Sequence, residues 1–186
     1  MNFISLYKRK FLYKIKKKIN IDSENNKSKK SLNDLFDFFG SDKGENWNNG
    51  KDQGHGYAKH YEKHFKNLKN KFLNILEIGS FSGASAASFV KYFSNARVFC
   101  IDINISNFKY SSKKIEVFGI DVKNQRMIDS FFKKINISKE ERFFDIIIDD
   151  GSHKLTDILV SLNFFFKNLK KDGYYVIEDY NFLNYF

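Results

Sequence analysis

Asp149, Asp150 and His153 close a short apolar run, Asp145-Ile-Ile-Ile-Asp-Asp-Gly-Ser-His153, and a second run, Val176-Ile-Glu-Asp179, ends in two more carboxylates. Clustered carboxylate oxygens are the donors a hard divalent cation prefers, and an imidazole beside them is a base largely uncharged at neutral pH. A cation that polarises a hydroxyl, next to a base that takes its proton, would activate an oxygen nucleophile. One acid at a strand end is an ordinary cap. Four acids and a histidine on two adjacent strands are a different matter.

Short apolar runs that stop abruptly in acids are how buried parallel strands reach the carboxyl edge of a sheet. Of three earlier runs, two do the same and the first passes into a glycine turn. Asn74-Ile-Leu-Glu-Ile-Gly79 leads through Ser80-Phe-Ser-Gly83 into Ala84-Ser-Ala-Ala-Ser-Phe-Val-Lys-Tyr-Phe93, a strand, a glycine turn and a helix opening on small side chains. That geometry lets a ligand approach the backbone. Phe81 stands where a dinucleotide fingerprint has its middle glycine, which disfavours a nicotinamide cofactor. Arg97-Val-Phe-Cys-Ile-Asp102 and Ile115-Glu-Val-Phe-Gly-Ile-Asp121 follow. Asp102 lies nineteen residues beyond Gly83, the distance at which a βαβ unit sets a carboxylate on ribose hydroxyls. Asp121 is positioned to meet an adenine amino group. Either acid taken alone also reads as a strand terminus or a helix cap.

The alternation extends through a helix over 122–136, with Met127, Ile128, Phe131, Phe132 and Ile135 on one side, and a helix from about Lys154 to Lys170. Lys171-Asp-Gly173 then turns the chain into a fifth strand, Tyr174 to Asp179. Five strands alternating with helices predict an α/β, Rossmann-like, doubly wound and mostly parallel sheet with right-handed crossovers.

Upstream, Leu32–Phe39 reads as a short amphipathic helix stopped by Gly40. Residues 40–56 are too polar and glycine-rich for a regular element, and Trp47 within them reads as a hydrophobic latch or a ligand platform, the latch being favoured. His60 and His64 share a helix face at a zinc-compatible spacing, but no third ligand is near and a solvent-facing pair is expected. Residues 20–31 read as a polar linker.

The formal charge of +10 is uneven: residues 1–31 carry ten Lys or Arg against Asp22 and Glu24, and the remainder holds 22 basic and 20 acidic residues. A nearly neutral body argues against a nucleic-acid substrate. Ile4, Tyr7, Phe11, Ile15 and Ile19 recur at helical steps among lysines, giving a basic amphipathic leader suited either to an anionic membrane surface or to solvent. The leader lacks the unbroken apolar run of a spanning helix or signal peptide, and the lone Cys100 excludes an intramolecular disulfide. A cytoplasmic protein, peripheral at most on the membrane through residues 1–19, is expected. The domain boundary is placed at 31/32.

Glu77, two residues before Gly79, resembles the acid found there in class I S-adenosylmethionine-dependent enzymes. Phe39-Gly-Ser-Asp-Lys-Gly44, His55-Gly-Tyr57, Leu76-Glu-Ile-Gly79, Ile101-Asp102, Ile148-Asp-Asp-Gly-Ser-His153 and Val176-Ile-Glu-Asp179 together resemble the metal-dependent sugar O-methyltransferases of macrolides and related glycosides, relatives of a cephalosporin-biosynthesis family. The resemblance covers roughly 32–186. It implies S-adenosyl-L-methionine held by Glu77, Gly79, Ser80, Gly83, Asp102, Asp121 and Asp149. It further implies magnesium held by Asp150, Glu178 and Asp179, with His153 as the general base.

The acceptor it implies is a sugar or glycoside hydroxyl, and the leader points to a lipid-carried one. A catechol-type small-molecule O-methyltransferase and a non-catalytic, partner-binding remnant are the alternatives. Such methyltransferases usually add a C-terminal β-hairpin beyond the fifth strand; it is missing from this sequence, so a truncated chain is a further expectation. An open fifth strand would favour homo-oligomers.

Overall fold

The computed structural model describes residues 3–23, 31–47 and 50–180. Five strands form one parallel sheet: β1 (Phe72–Ile78), β2 (Asn95–Asp102), β3 (Ile115–Gly119), β4 (Phe144–Asp149) and β5 (Leu169–Ile177), in spatial order β3-β2-β1-β4-β5. The order reverses between β1 and β4, and a doubly wound sheet opens its binding crevice beyond the carboxyl ends of the strands there. Among the described residues the α-helices are α1 (Phe3–Ile15), α2 (Leu32–Phe39), α3 (Ala58–Phe65), α4 (Ala84–Tyr92), α5 (Gln125–Ile135) and α6 (Leu155–Phe165).

Alternation along the strands sorts the core into two layers. Leu73, Ile75, Val98, Cys100, Ile146 and Ile148 face a layer made by α2, α3 and α4. Leu76, Ile78, Phe99, Ile101, Phe118 and Ile147 face α5 and α6. Both layers are rich in phenylalanine, with Phe36 edge-on to Phe89 and Phe118 edge-on to Phe131.

Local signals hold α2 at its predicted bounds. Ser31 and Asp34 form a reciprocal capping box, and Gly40 ends the helix at φ 79°. The small residues of α4 are buried, and the Ser88 hydroxyl donates to the Leu35 carbonyl of α2 at 3.1 Å.

Four expectations need correction. The sixth helix stops at Phe165 and the chain is already strand at Leu169, because Lys170–Gly173 bulge out between the pairs Phe144–Leu169 and Ile146–Tyr174. Residues 40–56 do contain a regular element: Asn46–Trp47 pairs antiparallel with Asp52–Gln53. Backbone bonds from Gly54 to Glu45 and from Gly56 to Gly44 tie that loop together. The start of the polar linker is anchored, since Ile19–Asn20 pairs with Tyr110–Ser111 and Ile21 is wholly buried, while residues 24–30 lie outside the described residues. Trp47 is 44% exposed and borders the site cavity, which favours the ligand-platform reading over the latch.

Candidate active site

Two adjoining hollows run along the carboxyl edge of the sheet and share Gly79, Asp102 and Gly151 on their walls. The first, of about 420 Å³, lies over the ends of β1, β2, β3 and β4 and is bordered by Asp102, Asp121 and Asp149. The second, of about 440 Å³, lies between the 40–47 loop, the Gly79–Ser85 turn and the β4 and β5 ends, and is bordered by Ser80, Asp150, His153 and Asp179.

Glycine is obligatory where the hollows meet. Gly79 has φ +85°, and a Cβ there would lie 2.0 Å from the Asp150 carbonyl oxygen. The turn after β1 therefore passes directly against the residue that carries a site carboxylate. Phe81, His153 and Asp179, three of the four described non-glycine residues with positive φ, border the second hollow. Strained backbone of this kind persists where surrounding structure over-determines it and clusters at functional sites.

The sequence-predicted acids divide by environment. Asp102 accepts the Phe81 amide at 2.8 Å and the Asn104 amide at 2.5 Å, which fixes its carboxylate at the hollow's rim. Asp121 accepts the Lys123 amide at 3.0 Å in a local turn. Asp149 is 3% exposed with Oδ2 lacking a partner, and burial pushes its carboxyl up to about 6.

Glu77 lies below the hollows. Strand register sets it between Cys100 and Ile148 on the α4 face of the sheet, where it is wholly buried. Ser85 donates to Oε1, Oε2 has no partner, and burial raises its carboxyl to about 7 against the opposing pull of Lys43. Gly83 does not border either hollow; a Cβ there would meet the Phe108 ring, so this glycine admits an aromatic side chain.

Asp150, His153 and Asp179 each offer a ligand atom within 4.8 Å of the others. Glu178 is different. It is 4% exposed, its Oε2 pairs with Lys43 and its Oε1 accepts the Tyr61 hydroxyl. The expected acid trio thus presents two members, Asp150 and Asp179, to the hollow with His153, while the third sits beneath them.

Lys43 carries no role in the sequence-based expectations and is the main addition to the site. Its side chain is 2% exposed, and its ammonium bonds Asp150 and Glu178 together. Burial would lower its pKa, but the Glu178 and Asp150 carboxylates outweigh burial and hold it above the usual lysine value. Tyr57 donates to Asp179, and His55 Nδ1 lies 3.3 Å from the same oxygen. Burial foremost, then the neighbouring carboxylates, raises both Tyr57 and Tyr61, which keeps the phenols protonated as donors. Lys43, His55 and Tyr57 belong to the Ser-Asp-Lys-Gly and His-Gly-Tyr motifs and Tyr61 to neither, and nothing local marks their partners, which lie more than a hundred residues away.

Three carboxylates against one ammonium leave two formal negative charges, the complement of a divalent cation. Hard oxygen donors with open positions suit magnesium, so the residues present fit that ion. His60 and His64 are exposed beside a shallow hollow against β5 and take no part in this cluster.

No protein-family model matches the chain. Over 132 residues, 67% of this chain, it is 32% identical to L-olivosyl-oleandolide 3-O-methyltransferase of Streptomyces antibioticus, covering 32% of that protein. It is 27% identical over the same length to mycinamicin VI 2''-O-methyltransferase of Micromonospora griseorubida, covering 31% of it. The chain spans about a third of the length of these curated relatives. Among solved structures, the MycE methyltransferase of mycinamycin biosynthesis, in complex with Mg and SAH, superposes with a TM-score of 0.66 at 24% identity, over 82% of this chain and 40% of that one. At that identity the likeness is one of fold.

Proposed function

We infer that this chain, a relative of the sugar O-methyltransferases with the class I S-adenosylmethionine-dependent methyltransferase fold, transfers the sulfonium methyl of S-adenosyl-L-methionine to a hydroxyl of a sugar or glycoside, with magnesium bound beside it. The observation that carries the reading is the meeting of Asp150, His153 and Asp179 at one end of a groove whose other end is bordered by Gly79, Asp102, Asp121 and Asp149.

Cofactor recognition falls to the first hollow. Each carboxylate oxygen has more than one acceptor position, so Asp102, though it holds two backbone amides, can still accept from ribose hydroxyls. Asp121 takes the adenine amino group, while Gly79 and Ser80 admit the ligand close to the backbone. Asp149, with a free buried oxygen, can accept a further donor from the nucleoside. Glu77 acts indirectly, holding the Ser85 hydroxyl at the start of α4 and so supporting the turn from beneath.

Asp150 and Asp179 would hold magnesium, with Glu178 completing the acid set from below through the shared Lys43. Bound there, the ion supplies Lewis acidity that favours the deprotonated form of an acceptor hydroxyl. His153 accepts that proton on a ring nitrogen as the acceptor oxygen forms its bond to the methyl carbon. The carbon–sulfur bond breaks in line, leaving a neutral thioether. Lys43, Tyr57 and Tyr61 fix the carboxylates in place and touch no reacting atom.

A methyl-transfer assay with labelled S-adenosyl-L-methionine and a panel of glycosides, run with magnesium and with chelator, tests the reading. Metal-dependent labelling of a glycoside supports it. Labelling of catechols alone would favour the small-phenol alternative, and none with any acceptor would refute the catalytic reading.

A further inference from the structure

Helix α1 is seated on the body by one side only. Leu6 is buried, Tyr13 meets Phe108 edge-on at 6.4 Å, and Lys16 Nζ donates to the Ser106 carbonyl at 2.7 Å. At about 100° per residue, those contacts occupy one side of the helix, and Tyr7, Phe11 and Ile15 fall on the opposite side. These three are 70%, 58% and 61% exposed. Lys8 and Lys14 flank the stripe. Residues 3–21 carry seven cations and no acid.

A large apolar stripe left outward on a helix whose other side is already packed calls for a partner with apolar depth. The flanking charge says that the partner is anionic. We propose that α1 is an interfacial helix by which the folded domain lies on an anionic lipid surface, Tyr7, Phe11 and Ile15 entering the headgroup–acyl boundary and the lysines contacting lipid phosphates. The placement orients the domain as well as tethering it. Lys16 and Lys17 border a hollow that also includes Phe81, and Phe81, 64% exposed, borders the candidate active site. The end of the leader just after α1 therefore lies beside the mouth of that site.

Co-sedimentation with vesicles of phosphatidylcholine, or of phosphatidylcholine mixed with phosphatidylglycerol, tests this without any catalytic readout. The full chain is predicted to pellet with the anionic vesicles and not with the neutral ones, less so as salt is raised. The triple variant Tyr7→Ser, Phe11→Ser, Ile15→Ser, exposed positions whose loss leaves the thermal unfolding midpoint unchanged, is predicted to bind at least about tenfold more weakly. No pelleting with anionic vesicles overturns the proposal. Equal pelleting of the triple variant overturns it too, leaving a purely electrostatic contact that DNA would satisfy equally. A lipid-free dimer that the triple variant abolishes would assign the stripe to a second copy and would likewise overturn it.

Discussion

Lys43 and Glu178, 135 residues apart in the chain, form a buried ion pair beneath the candidate metal acids, and the same ammonium also holds Asp150. The loop after α2 is thereby fastened to the carboxyl ends of β4 and β5, which makes the geometry of the acids depend on a residue outside the sheet.

Removing that ammonium leaves buried carboxylates unpaired. Lys43→Met is predicted to lower unfolding stability by about 3–5 kcal/mol, the usual cost of breaking a buried pair from one side. Urea unfolding of the variant and the parent gives the difference. A stability within a few tenths of a kcal/mol of the parent would show that the pair does not carry this load.

Glu77 gives stability a pH dependence of definite sign. Its carboxyl rises from 4.5 to about 7 on folding, through burial. Over that window the folded state binds more protons than the unfolded state, so this group makes stability fall as pH rises from 4.5 towards about 7. Glu77→Gln should flatten the slope of unfolding midpoint against pH between those limits. An unchanged slope would assign the titration to another group.

Gly79→Ala and Gly50→Ala separate backbone strain from collision. Both glycines have positive φ, 85° and 78°, but a Cβ at Gly79 strikes the Asp150 carbonyl oxygen at 2.0 Å while one at Gly50 meets nothing within 4 Å. Strain alone costs about 1–3 kcal/mol. The Gly79 variant is predicted to lose clearly more than the Gly50 variant in thermal unfolding; equal losses would mean that the Asp150 turn yields freely.

His153→Asn tests the base. His153 has φ 58°, a conformation asparagine tolerates well, and its amide cannot take up a proton at neutral pH. Methyl transfer should fall by about 10²–10⁴ with magnesium affinity nearly unchanged. A parallel loss of magnesium affinity would make His153 a ligand in place of a base.

The strand ends were legible because the apolar runs stop abruptly in Gly79, Asp102, Asp121, Asp149 or Glu178, and α2 because Ser31 and Gly40 mark its ends with local chemistry. Contacts made across a hundred residues left no such mark. Lys43, Tyr57 and Tyr61 reach the acids only once the loop and α3 have packed on the sheet. Register, which one residue inverts, decided that Glu77 points into the α4 layer instead of the groove. The docked side of α1 was concealed because the regular apolar stripe proved to be the outward one, while Leu6 and Tyr13 make the contact with the body.

The central claim is that the groove over Gly79, Asp102 and Asp149 binds S-adenosyl-L-methionine. Isothermal titration of that ligand into the magnesium-loaded full chain, beside the Asp102→Ala variant, measures it directly. One saturable site, weakened at least about tenfold by Asp102→Ala, is the predicted result. Absence of binding by folded protein, or equal affinity in the variant, would contradict it.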